Sequence, residues 1–305
     1  MKRISGAALC VALALGAAAC TDSPSGPDDR YPIVPPGPPP IEPPGTTPSP
    51  LGQIVYVDNG LTLINADGSG AVQLGFGWSP SWSPDGTRFM FSDTRCETDW
   101  ETYYRCSSGG LQILKPETRE ITTQPGGALG VEPAWSPAGD MIAFVRHDIP
   151  GRLFFMRLDG SELRQLSFPF VHDVFEPSWS PDGQRIAFQC LHGYGMGVCA
   201  VNRDGTGFAR LTGNDHYAAA PAWSPNGSRI AFQFWNLQRD AGEIALMAPD
   251  GSGVARVADG YSPVWSPDAT KLVFSRKQGG LNISNADGSN VTRLTAGGHS
   301  PAWRP

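Results

Sequence analysis

The sequence is poor in charge and in histidine, and it contains no run of lysine or arginine. Charged residues make up 17% of the 305, five residues are histidine, and 23 Lys and Arg face 29 Asp and Glu, for a formal net charge of −6. A mildly acidic chain without a basic stripe argues against nucleic acid as a partner. It also offers no polybasic patch for a membrane surface. No segment beyond the N-terminus reads as a long amphipathic helix. The short catalytic motifs are missing too. There is no GxSxG elbow, no HExxH pair, no phosphate-cradling Gly-rich loop before a helix and no Rossmann fingerprint. Catalysis therefore has little support in the residues.

What is present begins with an export signal. Lys2 and Arg3 precede the apolar run "GAALCVALALGAAAC", too short to span a bilayer. Residues 1–19 read as a signal peptide. Ala17, Ala18 and Ala19 before Cys20 resemble a bacterial lipobox, in which the Cys is released and acylated; ordinary export with an incidental Cys is the alternative. Thr21 after Cys20, by analogy, directs such a lipoprotein outward. Residues 21–50 hold twelve prolines. They cannot bury a core, and they favour extended polyproline II. Thirty such residues reach roughly 90 Å at full extension. Residues 20–50 thus read as a lipidated tether and 51–305 as one folded head. Without Lys2 and Arg3 the formal charge becomes −8.

Four cysteines fall in the head: Cys96, Cys106, Cys190 and Cys199. Of the three pairings open to them, 96–106 and 190–199 are favoured, because each brackets a single loop. Closing a loop of about ten residues stabilises by roughly 3 kcal/mol in the chain-entropy picture. A metal is the rival reading, but neither pair has the close spacing of a zinc knuckle. Thiols committed to disulfides leave no cysteine nucleophile.

The head is a repeat. Trp82, Trp135, Trp179, Trp223, Trp265 and Trp303 recur at intervals of 53, 44, 44, 42 and 38 residues. A period near forty, with Asp-Gly turns and short apolar strands, marks a β-propeller with one blade per repeat. Each unit reads as four strands: "PxWSP", then "IAF" after an "SPDG" turn, then a third strand, a "DGS" turn and a fourth. The N-terminus supplies strands two, three and four of a blade without a first strand ("IVYV", "LTLIN", "VQL"). The final "SPAWRP" supplies the missing one. The reading is all-β: a six-bladed propeller closed by pairing of the C-terminal strand with the N-terminal blade. Such closure removes an open edge.

The pattern "PxWSPDGxxIAF…DGSxxxxLT" resembles the propeller repeat of TolB-type proteins, which also occurs in prolyl-oligopeptidase-like peptidases. The resemblance covers 54–303. It implies the fold strongly and the function weakly. It leaves no residues for the hydrolase domain that the peptidases carry.

Alternate turns of a four-stranded meander fall on opposite faces. The Asp residues of the regular face, such as Asp85 and Asp204, read as turn formers rather than calcium ligands, since no EF-hand-like alternation accompanies them. The other face is irregular and holds all five histidines, with Trp100, Tyr103, Tyr104, Tyr194, Tyr217, Trp235 and Tyr261. Loops on a rigid scaffold are where binding usually lives, and exposed Tyr and Trp are typical anchors. His172 and His216 each lie five residues before the Pro of a first strand; Glu132 and Glu176 each lie immediately before one. With Asp173, Asp215 and His299 they could surround the channel mouth as a site for zinc, manganese or an anion, although no cofactor is required by the sequence. The leading expectation is a monomeric, lipid-anchored envelope protein. It sits at the outer membrane, facing the periplasm or the cell surface, and holds a protein or glycan partner on its loop-rich face. Its membrane contact is the lipid alone. The runner-up is a metal-assisted polysaccharide lyase or hydrolase acting at the channel mouth, by resemblance to propeller lyases that use His with a metal.

Overall fold

A computed structural model describes residues 52–97, 105–146, 151–168, 170–192, 195–213, 217–236 and 241–305. Among these, every regular element is a β-strand. Six four-stranded antiparallel sheets form the blades, and a two-stranded ribbon, Arg95–Glu97 with Arg105–Ser108, extends from the second.

The expected closure is present. The first blade orders as His299–Trp303, Gln53–Val57, Leu61–Asn65, Val72–Gly75, so the last strand of the chain is the innermost strand of the first blade. Ile54 pairs with Trp303 and Val55 with Ala302. Arg304 extends the join. Its main-chain N–H donates to Gln53 O (2.8 Å), and its guanidinium donates to Gln53 Oε1 (2.6 Å) and, in the second blade, to Gly86 O (2.7 Å).

The inner strands of the six blades, Trp78–Trp82, Gly130–Trp135, Val171–Trp179, Tyr217–Trp223, Tyr261–Trp265 and His299–Trp303, stand side by side around a central channel. Each second strand has apolar residues on both faces and feeds two seams at once. Ile54 and Tyr56 pack toward the sixth blade, whereas Val55 and Val57 pack toward the second. The buried core is accordingly six clusters, one per seam. Every repeat tryptophan plugs the seam with the preceding blade. Trp82, Trp179 and Trp265 donate their indole N–H across it to the carbonyls of Ala302, Ala134 and Ala222, each at 3.1 Å. Where the preceding blade carries Ser81 or Ser178 instead, the serine hydroxyl accepts from the main-chain N–H of Trp135 (3.4 Å) or Trp223 (3.1 Å). The indole N–H of those two is then buried without a partner. Arg88 and Arg185 lie over their rings, at 5.3 and 6.0 Å from the centroids.

The repeated polar words build the turns. In "WSPDG" the serine hydroxyl donates to the aspartate two residues on, as Ser83 to Asp85 at 2.6 Å, and accepts the N–H five residues on. The third blade reads "SPAGD", and Asp140 takes over the role. In "DGS" the aspartate accepts from both the N–H and the hydroxyl two residues later, as Asp287 does from Ser289 at 2.9 and 2.7 Å. These hydrogen bonds hold Asp67, Asp85, Asp159, Asp204, Asp250 and Asp287 below the usual carboxylate range. Gly288 in the last such turn has φ +84°, and a Cβ there would meet Val257 O of the fifth blade at 1.9 Å. Glycine is required both by the turn and by the neighbouring blade.

Candidate functional site at the channel and the loop face

Each inner strand carries an irregularity in its pairing just before its proline. The residue at that point is left-handed in all six blades: Ser79 (φ 49°), Glu132 (51°), Glu176 (50°), Ala220 (48°), Ser262 (48°) and Ser300 (47°). Such a conformation is costly for a residue with a Cβ. Its sixfold recurrence makes it part of the repeat. The bulge brings these six residues to the wall of a cavity of about 370 Å³ in the central channel, whose remaining lining is mainly the prolines and tryptophans of the same words. The two glutamates are the only charged side chains among the described residues of this lining.

Glu132 and Glu176 lie in adjacent blades and are linked. Glu176 N–H donates to Glu132 Oε2 at 2.7 Å, and the Glu176 carboxylate accepts from Ala220 N–H of the next blade. The chain of contacts thus crosses from the third blade to the fourth and fifth. Glu132 is 6% exposed; Glu176 is half-buried as a residue, but among the described residues its Oε2 is buried without a partner. Burial pushes the Glu132 carboxyl up, with the Glu176 N–H acting against it. Burial, and then the charge of Glu132, push Glu176 up.

The other sequence candidates are placed apart from this pair. His172 is exposed, and its carbonyl accepts from Arg152 at 3.2 Å. Asp173 Oδ1 accepts from Gly151 N–H at 2.5 Å and fixes the end of a neighbouring loop; burial raises its pKa. His299 sits beside Ser300, with Nδ1 at 3.0 Å from its hydroxyl; burial lowers its pKa, against the pull of Asp58. Tyr217 is half-buried at the start of its strand. Tyr261 ties the sixth blade to the fifth, because its hydroxyl accepts from Gly242 N–H (3.1 Å) and its ring lies 6.0 Å from that of Trp235. Trp100, Tyr103, Tyr104, Asp215 and His216 lie outside the described residues, as do Tyr194 and Cys20. Among the described residues no three of His, Cys, Asp and Glu stand together at metal-binding distance.

The loop face is held by contacts that sequence reasoning did not find. Arg210 donates to the carbonyls of His192, Gly195, Met196, Thr212 and Gly213, clasping both ends of the loop beyond Leu191. The Cys190–Cys199 disulfide forms as expected across the same hairpin. Register places Cys96 opposite Cys106 in the ribbon. Asp93 accepts from Gly110 N–H (2.6 Å) and Gln112 Nε2 (3.1 Å) at the ribbon's base. Three aromatics stand open on this face where outer strands lead to the next inner strand: Phe76 (67% exposed), Trp78 (37%) and Phe170 (78%, φ 63°). Phe76 and Trp78 meet edge to face at 5.8 Å. The words "FGWSPS" and "FPFVHDVFEP" carried the signal.

The family model of the TolB beta propeller domain matches residues 79–305. Among solved structures, TolB from Acinetobacter baumannii is similar over 83% of this chain and 67% of its own, at 20% identity and a TM-score of 0.71. A structure from Agrobacterium tumefaciens assigned to TolB is similar over 81% and 90%, at 20% identity and a TM-score of 0.64. An oligogalacturonate lyase in complex with manganese is similar over 77% and 70%, at 14% identity and a TM-score of 0.52. At these identities the structural likeness concerns the fold alone. Among curated proteins none matches the chain in sequence.

Proposed function

The chain belongs to the TolB beta propeller domain family, and on that premise we propose that it is a binding protein of the bacterial cell envelope, exported and lipid-anchored through Cys20. Its head engages a protein or glycan partner through the loop-rich face around the channel mouth. The observation that carries this reading is the exposure of Phe76, Trp78 and Phe170 on that face. Exposed aromatic side chains on a rigid frame are typical contact anchors, and Phe76 and Trp78 stand together as a pair. The loops around them are braced by Arg210, Asp93, Asp173 and a disulfide, which lowers the ordering cost of binding. By resemblance to TolB, a partner within an envelope assembly fits the family.

The test is crosslinking and capture from intact envelopes with the anchored protein. A discrete partner should be retained by the native chain and lost in Phe170→Ala and in Phe76→Ala/Trp78→Ala. A Cys20→Ser form should lose membrane retention. Capture unchanged by the aromatic substitutions would overturn the assignment of the face.

A further inference from the structure

We infer that Glu132 and Glu176 are a proton-holding pair that couples the charge of the channel wall to pH near neutrality. The geometry that carries this is the shared wall of the two carboxyls and the poverty of their partners. A buried carboxylate is tolerated when a cation or several N–H groups compensate it. Among the described residues Glu132 accepts one N–H, from Glu176, and Glu176 accepts one, from Ala220. Glu176 Oε2 has none, although it is shut off from solvent. Around them the wall offers serines, alanines, prolines, indoles and Val264, and it includes Pro305, whose main-chain carboxylate in this chain is a further anionic group of the lining.

The charged and titratable groups on the elements packed against the two strands are otherwise engaged. Lys115 pairs with Glu120 and Arg157 with Glu162. Arg146 lies over Phe154 and donates to Gly126 O; Arg152 donates to His172 O and Arg185 to Pro249 O. His192 stacks on Phe208, and Asp173 binds Gly151. Among the described residues, none of these, nor His172 or Tyr217, bonds either carboxyl. Ionising both glutamates would set two like charges in one buried wall, so at least one keeps its proton at neutral pH. Each proton held removes one negative charge from the wall; each proton lost makes the wall more anionic toward whatever enters.

The sign follows from linkage. An acid whose folded pKa lies above its unfolded value binds more protons when folded, so folding takes up protons and stability falls as pH rises through that window. The window opens near the ordinary Glu value of about 4.3 and extends through neutrality. The experiment is a ¹³C-carboxyl NMR titration of the whole native protein, with Glu132→Gln and Glu176→Gln to assign signals, and thermal melts of each between about pH 5 and pH 9. We expect two glutamates to titrate well above the ordinary range, and the Glu176 midpoint to fall in Glu132→Gln. The double variant should lose much of the native decline of melting temperature with pH. Should either variant fold poorly, the native titration alone decides. All glutamate signals titrating below about pH 5 would overturn the inference. So would a Glu176 midpoint and melting slope unmoved by substitution. No binding partner enters the test, so its outcome is independent of the proposed function.

Discussion

Arg304 shows how much one residue near the end of the sequence can do. It lies over the Trp82 ring at 5.1 Å and donates to Gly86 O, Gln53 Oε1 and Glu117 Oε1, reaching into the second blade from the strand that completes the first. The Glu117 contact is exposed on the carboxylate side and contributes little. The carbonyl and amide bonds are charge-assisted and partly buried. Arg304→Ala should therefore lower stability by about 2 kcal/mol, read as an earlier midpoint in urea with the slope unchanged. A change within a few tenths of a kcal/mol would show the clasp to be incidental. Nothing in "AWRP" announced this role. A guanidinium that bonds a main-chain carbonyl of another blade, as Arg304 does at Gly86, is visible only once the blades are assembled; the five carbonyls that Arg210 binds belong to its own blade and the loop after it, and converge on it only once those strands have paired.

At the scale of the element, the hairpin of the fourth blade, Arg185–His192 with Gly195–Asn202, is fixed twice: by the Cys190–Cys199 bridge and by Arg210, which binds five carbonyls. Closing this short loop is worth roughly 3 kcal/mol in the chain-entropy picture. Cys190→Ser/Cys199→Ser should retain the fold at lower melting temperature. Arg210→Ala should instead speed amide exchange at Gly195 and Met196 and leave the remaining blades protected. Equal exchange in the native and Arg210→Ala proteins would contradict the clasp. The strands and their disulfide were legible because alternation, turn words and cysteine spacing are local. The left-handed bulge was not. Ser79, Glu132, Ala220 and Ser262 share no side-chain preference for positive φ, and only their common place before "PxW" marks them. The placement of Glu132 and Glu176 on the channel was legible from that offset. Their linkage was not, because it depends on Glu176 N–H being turned toward the neighbouring blade.

At the scale of the whole molecule, one topological fact organises the rest. Six seams each bury a cluster contributed by two blades, and among the described residues no blade has a core of its own. The seams on either side of the first blade depend on the strand His299–Trp303, because Trp303 fills one and Ala302 accepts the Trp82 indole in the other. Which turns share a face, and hence where the exposed aromatics and the glutamate pair stand relative to the channel mouth, follows from that strand being innermost in the first blade. Losing a buried tryptophan alone costs about 3–5 kcal/mol.

The most direct measurement is the thermal unfolding of a chain lacking residues 298–305. With the closing strand and Arg304 gone, the melting temperature should drop by roughly 10 °C or more, with aggregation at the opened edge of Gln53–Val57. An unchanged melting temperature and undiminished solubility would contradict the closed ring.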